Sequence, residues 1–319
     1  MLSWQARVLE TYLRLQRLIS PSRGVLDVKK ERSELEALAA MFKPSASIHC
    51  TAIIANGVPS EWIVPAHLSM ERILLYLHGG SYNAGSISSH RSMAANLAAA
   101  AKARALIIDY RLAPEHPFPA ALEDAVDAYQ WLLDNEHSSS QIAIVGDSAG
   151  GGLALALLIH LRDEGMPLPG MAICISPWTD LSGSGESIRS KAKVDIVLDA
   201  QNLAKSAAIY LGNTDPCDPL ASPIYADLSG LPPLLIHVGS DEILLSDSTM
   251  LAEKARAAGV DVTLEVWERM QHVWHFAASF VPESRQAIAR IGEFVQRSMP
   301  AGLQGNAPQV LEFPRMEKD

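Results

Sequence analysis

From Arg72 onward the chain alternates short apolar runs with longer stretches of helical period. Ile73–Leu77, Ala105–Asp109, Ile142–Val145, Met171–Ile175, Leu234–Val238 and Val262–Val266 are β-branched or aliphatic and bounded by turn residues, which predicts buried strands. Between them the pattern predicts helices over Ser92–Ala101, Ala120–Asn135, Gly151–Glu164, Ser248–Ala258 and Glu283–Met299. This alternation builds a mostly parallel sheet with helices on both faces, and it places a ligand site at the carboxyl ends of the strands.

Upstream, Ser47–Ile54 and Glu61–Pro65 have the character of an antiparallel hairpin. Two helices are predicted before it. The first carries apolar Trp4, Val8, Tyr12, Leu15 and Leu18 on one face, with Arg7, Glu10, Arg14 and Arg17 on the other, and stops near Ser20-Pro21; the second covers Val28–Phe42. Between Asp180 and Ala226 the alternation breaks, and a helix over Asp199–Leu211 belongs to no adjacent strand. Such an excursion is expected to sit over the strand ends and join the N-terminal helices as a lid. The expected organisation is therefore residues 1–45 as cap helices, 46–300 as the catalytic domain with a cap insertion near 180–225, and 301–319 as a tail whose Val310–Pro314 stretch could dock.

The 319 residues suffice for a large core, with 48% hydrophobic and 19% charged residues, as in a globular protein. A formal charge of −10 and the lack of a basic cluster argue against a nucleic-acid partner. Cys50, Cys174 and Cys217 are odd in number and far apart, so neither a disulfide framework nor a zinc site is expected, and a reducing cytoplasm fits. The N-terminus lacks the uninterrupted apolar core of a signal peptide, and no stretch is long and apolar enough to span a bilayer. The last strand offers an edge for pairing in a homodimer.

The chemistry centres on Gly146-Asp-Ser-Ala-Gly150, between an apolar strand and an Ala/Leu-rich helix. A serine on such a turn is pushed out of the sheet, and the amide of Ala149 falls at a helix N-terminus, where unpaired donors favour an anion. Ser148 is thus the candidate nucleophile. It needs a histidine to take its proton and a carboxylate to orient that histidine. His272 follows the last strand on a loop at the required end of the sheet, and is preferred to His275. His49, His160 and His237 sit inside predicted elements and read as structural; His67, His90, His116 and His137 read as ordinary loop residues. Asp241 follows Leu234–Val238 and is the expected carboxylate, with Glu242 and Asp247 as nearby alternatives. His78-Gly-Gly80, directly after Ile73–Leu77, is suited to complete an oxyanion hole through the amides of Gly79 and Gly80 opposite Ala149.

Five ordered motifs carry a resemblance: His78-Gly-Gly-Ser81, Asp109-Tyr-Arg-Leu-Ala-Pro-Glu-His-Pro-Phe-Pro-Ala120, Gly146-Asp-Ser-Ala-Gly-Gly151, Asp218-Pro-Leu-Ala-Ser-Pro223 and Gly239-Ser-Asp241. Over about residues 70 to 298 the chain resembles the bacterial hormone-sensitive-lipase-like carboxylesterases, in particular the acetyl-hydrolase and monoterpene-lactone-hydrolase branch. The resemblance implies an α/β-hydrolase fold with a helical cap, Ser148, Asp241 and His272 as the triad, and Gly79, Gly80 and Ala149 as the oxyanion hole. It makes Asp109 and Arg111 structural residues that pin the Pro114–Pro119 loop. Where the family has a third glycine after the histidine this chain has Ser81, so Ser81 and Tyr82 are expected to narrow the pocket. Ile209 and Tyr210, together with Trp4, Met41 and Phe42, are expected to line it. The expected reaction is hydrolysis of a small ester through an acyl-serine, with no metal or cofactor. Lactone or amide hydrolysis, or acyl transfer, on the same triad is the alternative. A non-catalytic receptor on this fold would be expected to have lost the serine or histidine, and this chain keeps both.

Overall fold

The computed structural model describes residues 2–19, 26–42, 48–66 and 71–300. Ser20-Pro21, Ser47, His67 and the 301–319 tail with Val310–Pro314 lie outside the described residues. Two helices, α1 (Trp4–Ile19) and α2 (Val28–Ala39), precede the hairpin of β1 (Ile48–Ala55) and β2 (Val58–Pro65). There follow β3 (Ile73–Leu77), α3 (Ile87–Ala101), β4 (Arg104–Ile108), α4 (Ala120–Asp134), β5 (Ile142–Asp147), α5 (Ala149–Asp163) and β6 (Met171–Ile175). The insertion carries α6 (Ser187–Ser190) and α7 (Ala200–Leu211); β7 (Leu234–Gly239), α8 (Leu245–Ala257), β8 (Val262–Trp267) and α9 (Pro282–Ser298) follow among the described residues.

Among the described residues eight strands form one sheet in the order β1-β2-β4-β3-β5-β6-β7-β8. β2 pairs antiparallel with β1 and with β4, and all pairings from β4 to β8 are parallel. The two-residue period of the strands splits the core in two. Leu75, Leu77, Ile144, Cys174 and Ile236 face one cluster with α4, α5 and α8. Leu74, Tyr76, Val145, Ile173 and Leu235 face the other with α3 and α9. Helix α5 is buried from Ala149 to Ile159, so its Ala/Leu run is the composition of a core helix, with each buried leucine worth about 1.5–3 kcal/mol of transfer free energy.

The strand and hairpin expectations agree with this sheet. Helix α3 starts five residues earlier than the Ala-rich run suggests, because Ser86 and Ser89 form a reciprocal capping box in front of it. The α1 expectation needs correction. Trp4 (65% exposed), Val8, Tyr12 and Leu15 face outward, and the turned-in face is Ala6, Leu9 and Leu13.

Candidate active site

Ser148 sits between β5 and α5 at φ 54°, ψ −121°, a strained backbone that lifts its hydroxyl out of the sheet. Two glycines permit the turn. A Cβ on Gly146 would lie 2.0 Å from the Gly150 carbonyl oxygen, and one on Gly150 would lie 2.0 Å from that of Leu77. The Ser148 Oγ is 2.9 Å from His272 Nε2, and His272 Nδ1 is 2.9 Å from Glu242 Oε2.

The carboxylate on His272 is therefore Glu242, one residue beyond the expected Asp241. The turn after β7 directs successive side chains apart. Glu242 is fully buried, and its Oε1 accepts from the Gly239 amide at 2.6 Å and the Ser176 hydroxyl at 2.8 Å. Asp241 is partly exposed and its carboxylate accepts only a long 3.4 Å bond from Ser240 Oγ among the described bonds. Asp247 is buried elsewhere, accepting the amides of Thr179 and Asp180. His275 faces His237 across 3.2 Å, and burial holds both well below the usual histidine range, His237 at about 3. Burial also disfavours charge on His272, but the hydrogen bond and charge of Glu242, with the charges of Asp195 and Asp147 behind it, leave its pKa raised above 6.5.

The glycine loop after β3 needs a second correction. The Gly79 amide donates to Asp147 Oδ1 at 3.0 Å, so it is committed to holding the loop against the strand. Asp147 also accepts from Tyr76 Oη at 2.6 Å and lies 3.5 Å from His90 Nε2. Burial raises the Asp147 pKa, but the charge and hydrogen bond of His90 and the bond from Tyr76 outweigh it and leave the pKa lowered. Gly80 and Ser81, at φ 119° and 56°, line the cavity beside Ser148. Ala149 is the first residue of α5. His78 is buried, bonded through Nδ1 to the Gly79 carbonyl at 2.8 Å, stacked on Tyr110, and held neutral at about 3 by burial. Arg111 meets Asp124 and Glu123, each at 2.8 Å, and Asp109 accepts from the Ile87 amide.

Ser148 and His272 open onto a cavity of about 240 Å³. Its wall is mostly apolar and comes from α1 and α2 (Leu9, Leu13, Leu35, Leu38), Phe42, and Val197-Leu198 of the insertion. Of the expected liners, Ser81 and Phe42 are present. Tyr82 and Tyr210 are not: their rings stack 3.8 Å apart in the core. Ile209 packs against that core, and Trp4 and Met41 (58% exposed) face solvent. The insertion reaches the cavity through the segment ahead of α7, which the helical pattern did not mark. Among the described residues no cluster suited to a metal ion is found, and no helix is long and apolar enough to cross a membrane.

A parallel sheet with a serine elbow at its central strand, a histidine on a later strand-end loop and a carboxylate between them defines an α/β-hydrolase. The family model for the α/β-hydrolase fold matches residues 74–276, and the chain belongs to that family. The chain is 49% identical to an acetyl-hydrolase of Streptomyces hygroscopicus over 80% of this chain and 82% of that one. It is 37% identical to an esterase of Acinetobacter venetianus over 86% and 91%. Among solved structures it resembles a bacterial esterase of the hormone-sensitive lipase family, with 45% identity, TM-score 0.89 and coverage of 93% and 99%. It also resembles the esterase EstE5 from a crystal soaked with p-nitrophenyl butyrate, with 44% identity, TM-score 0.90 and coverage of 94% and 100%.

Proposed function

We propose that the protein is a serine carboxylesterase that hydrolyses short- to medium-chain esters through an acyl-enzyme on Ser148. The observation that carries this reading is the unbroken line Ser148 Oγ, His272 Nε2, His272 Nδ1, Glu242 Oε2, with 2.9 Å at each hydrogen bond. With Nδ1–H held by Glu242, Nε2 keeps its lone pair toward the serine. Ser148 attacks the ester carbonyl while His272 takes the hydroxyl proton, and the imidazolium returns that proton to the departing alcohol. Water, deprotonated by the same histidine, then releases the acid and restores the serine.

The carbonyl oxygen gathers negative charge in each step. The amides of Gly80, Ser81 and Ala149 are the donors this reading assigns to it, since the amide of Gly79 is engaged by Asp147. A small, mostly apolar cavity ending at the serine favours a compact acyl group over long chains, because about 240 Å³ lies below the usual range for drug-sized ligands. Esterase and acetyl-hydrolase names among the relatives support the ester reading.

The test is a panel of p-nitrophenyl esters of increasing acyl length, set beside lactones and amides of similar size. Turnover should be highest on acetyl to hexanoyl esters and lost in Ser148→Ala. Preferential turnover of lactones would replace the ester assignment with the lactonase alternative.

A further inference from the structure

We infer that Asp195 is a positioning residue for His272: it brings a second buried negative charge to the base and ties the cavity wall at Val197 and Leu198 to the loops carrying Glu242 and His272. This inference rests on the esterase reading and extends it to a residue of the insertion.

Asp195 has no exposed surface and lies between α6 and α7; burial raises its carboxyl pKa, and the amides of Ile243 and Leu198 together with the charge of His272 pull the other way, toward the carboxylate. Its Oδ2 accepts the amide of Ile243 at 2.8 Å, the residue directly after Glu242. Its Oδ1 accepts the amides of Val197 at 2.9 Å and Leu198 at 2.8 Å, both in the cavity wall. The same segment is held from the other side by the neighbour of the base. Gln271 Oε1 accepts from the Ile196 amide at 3.0 Å, and its Nε2 donates to the Val194 carbonyl at 3.3 Å. Two of these hydrogen bonds fold the segment on itself, and three fix it, one against the acid loop and two against the base loop.

Glu242 alone suffices to orient the imidazole, so the tautomer does not need a second carboxylate. What a second charge adds is stabilisation of the imidazolium formed when Ser148 attacks, inside a site where water screens little. Three carboxylates act on His272 from three elements: Glu242 from the β7–α8 loop, Asp195 from the insertion and Asp147 from β5, all in the direction of retaining a proton. The other titratable or charged groups nearby are Glu10 of α1 and Arg269 on the cavity wall, His90 of α3 beside Asp147, and the His237–His275 pair, which burial keeps neutral.

The experiment compares the pH dependence of kcat/KM for p-nitrophenyl acetate in wild type, Asp195→Asn, Asp195→Ser and Gln271→Ala. Removing the charge should move the acid limb of both Asp195 variants to lower pH. Plateau kcat/KM should fall roughly tenfold, the equivalent of about 1.4 kcal/mol of imidazolium stabilisation. Gln271→Ala cuts the tie and keeps the charge, so it should raise KM with the limb in place. Asp195→Ser serves if the asparagine amide clashes with the Ile243 N–H and prevents folding. A folded Asp195 variant whose limb coincides with that of wild type overturns the inference while the esterase reading stands. A wild type inert on every ester overturns both.

Discussion

Asp241 and Glu242 are sequence neighbours that differ by one methylene, yet only Glu242 is buried against His272. The difference lies in what each oxygen meets: Gly239 N and Ser176 Oγ fix one Glu242 oxygen, which aims the other at His272. Glu242→Gln should therefore lower kcat by roughly 10⁴, the scale seen when an amide presents the wrong tautomer partner to a catalytic histidine. Asp241→Asn should leave kcat within about twofold, as surface substitutions usually do. Steady-state kinetics on one ester checks both, and equal losses would contradict the assignment. The pairing of Ser148 with His272 is legible in the sequence because the elbow demands glycines at fixed positions and a candidate base must follow a strand end. Which of two adjacent carboxylates turns inward depends on a turn that no periodicity describes. The replacement of Gly79 by Ser81 beside Gly80 and Ala149 among the proposed oxyanion donors has a similar origin, since Asp147 captures the Gly79 amide from another strand.

Helix α1 shows the same limit in an element. It is apolar on two sides, with Leu9 and Leu13 toward the cavity and Trp4, Val8 and Leu15 toward solvent. A period of 3.6 identifies a helix, but with two apolar stripes it does not say which one packs. The strands and the hairpin were legible because their apolar runs have one burial solution; the start of α3 was not, because Ser86 caps it ahead of the first apolar residue. If α1 sets the acyl limit, Leu13→Trp should shorten the preferred chain. Excluding about two methylenes costs about 1.6 kcal/mol, so hexanoyl kcat/KM should drop roughly tenfold or more relative to acetyl. An unchanged acyl-length profile would separate α1 from specificity.

At the scale of the whole molecule, the parallel sheet gathers groups from Gly80 to His272 at one set of strand ends, and buried carboxylates hold the loops there. Asp247 is one of these. Burial, joined by the charge of Asp180, lifts its pKa to about 7 against the pull of the Thr179 and Asp180 amides. The unfolded carboxyl ionises near pH ~3.9, so the stability tied to this group is complete below that pH and falls as pH rises toward 7. Asp247→Asn keeps an acceptor for both amides and removes the titration. Its urea midpoint should exceed that of wild type at pH 8 and approach it at pH 4; a parallel offset at both pH values would contradict the shift.

The proposed esterase chemistry requires a covalent intermediate at Ser148. Acid-quenching the enzyme within milliseconds of mixing with p-nitrophenyl butyrate, followed by peptide mass analysis, tests it most directly. One added butyryl group is expected on the peptide containing Ser148, and none in Ser148→Ala. A butyryl group on another residue, or rapid nitrophenol release in Ser148→Ala, would contradict it.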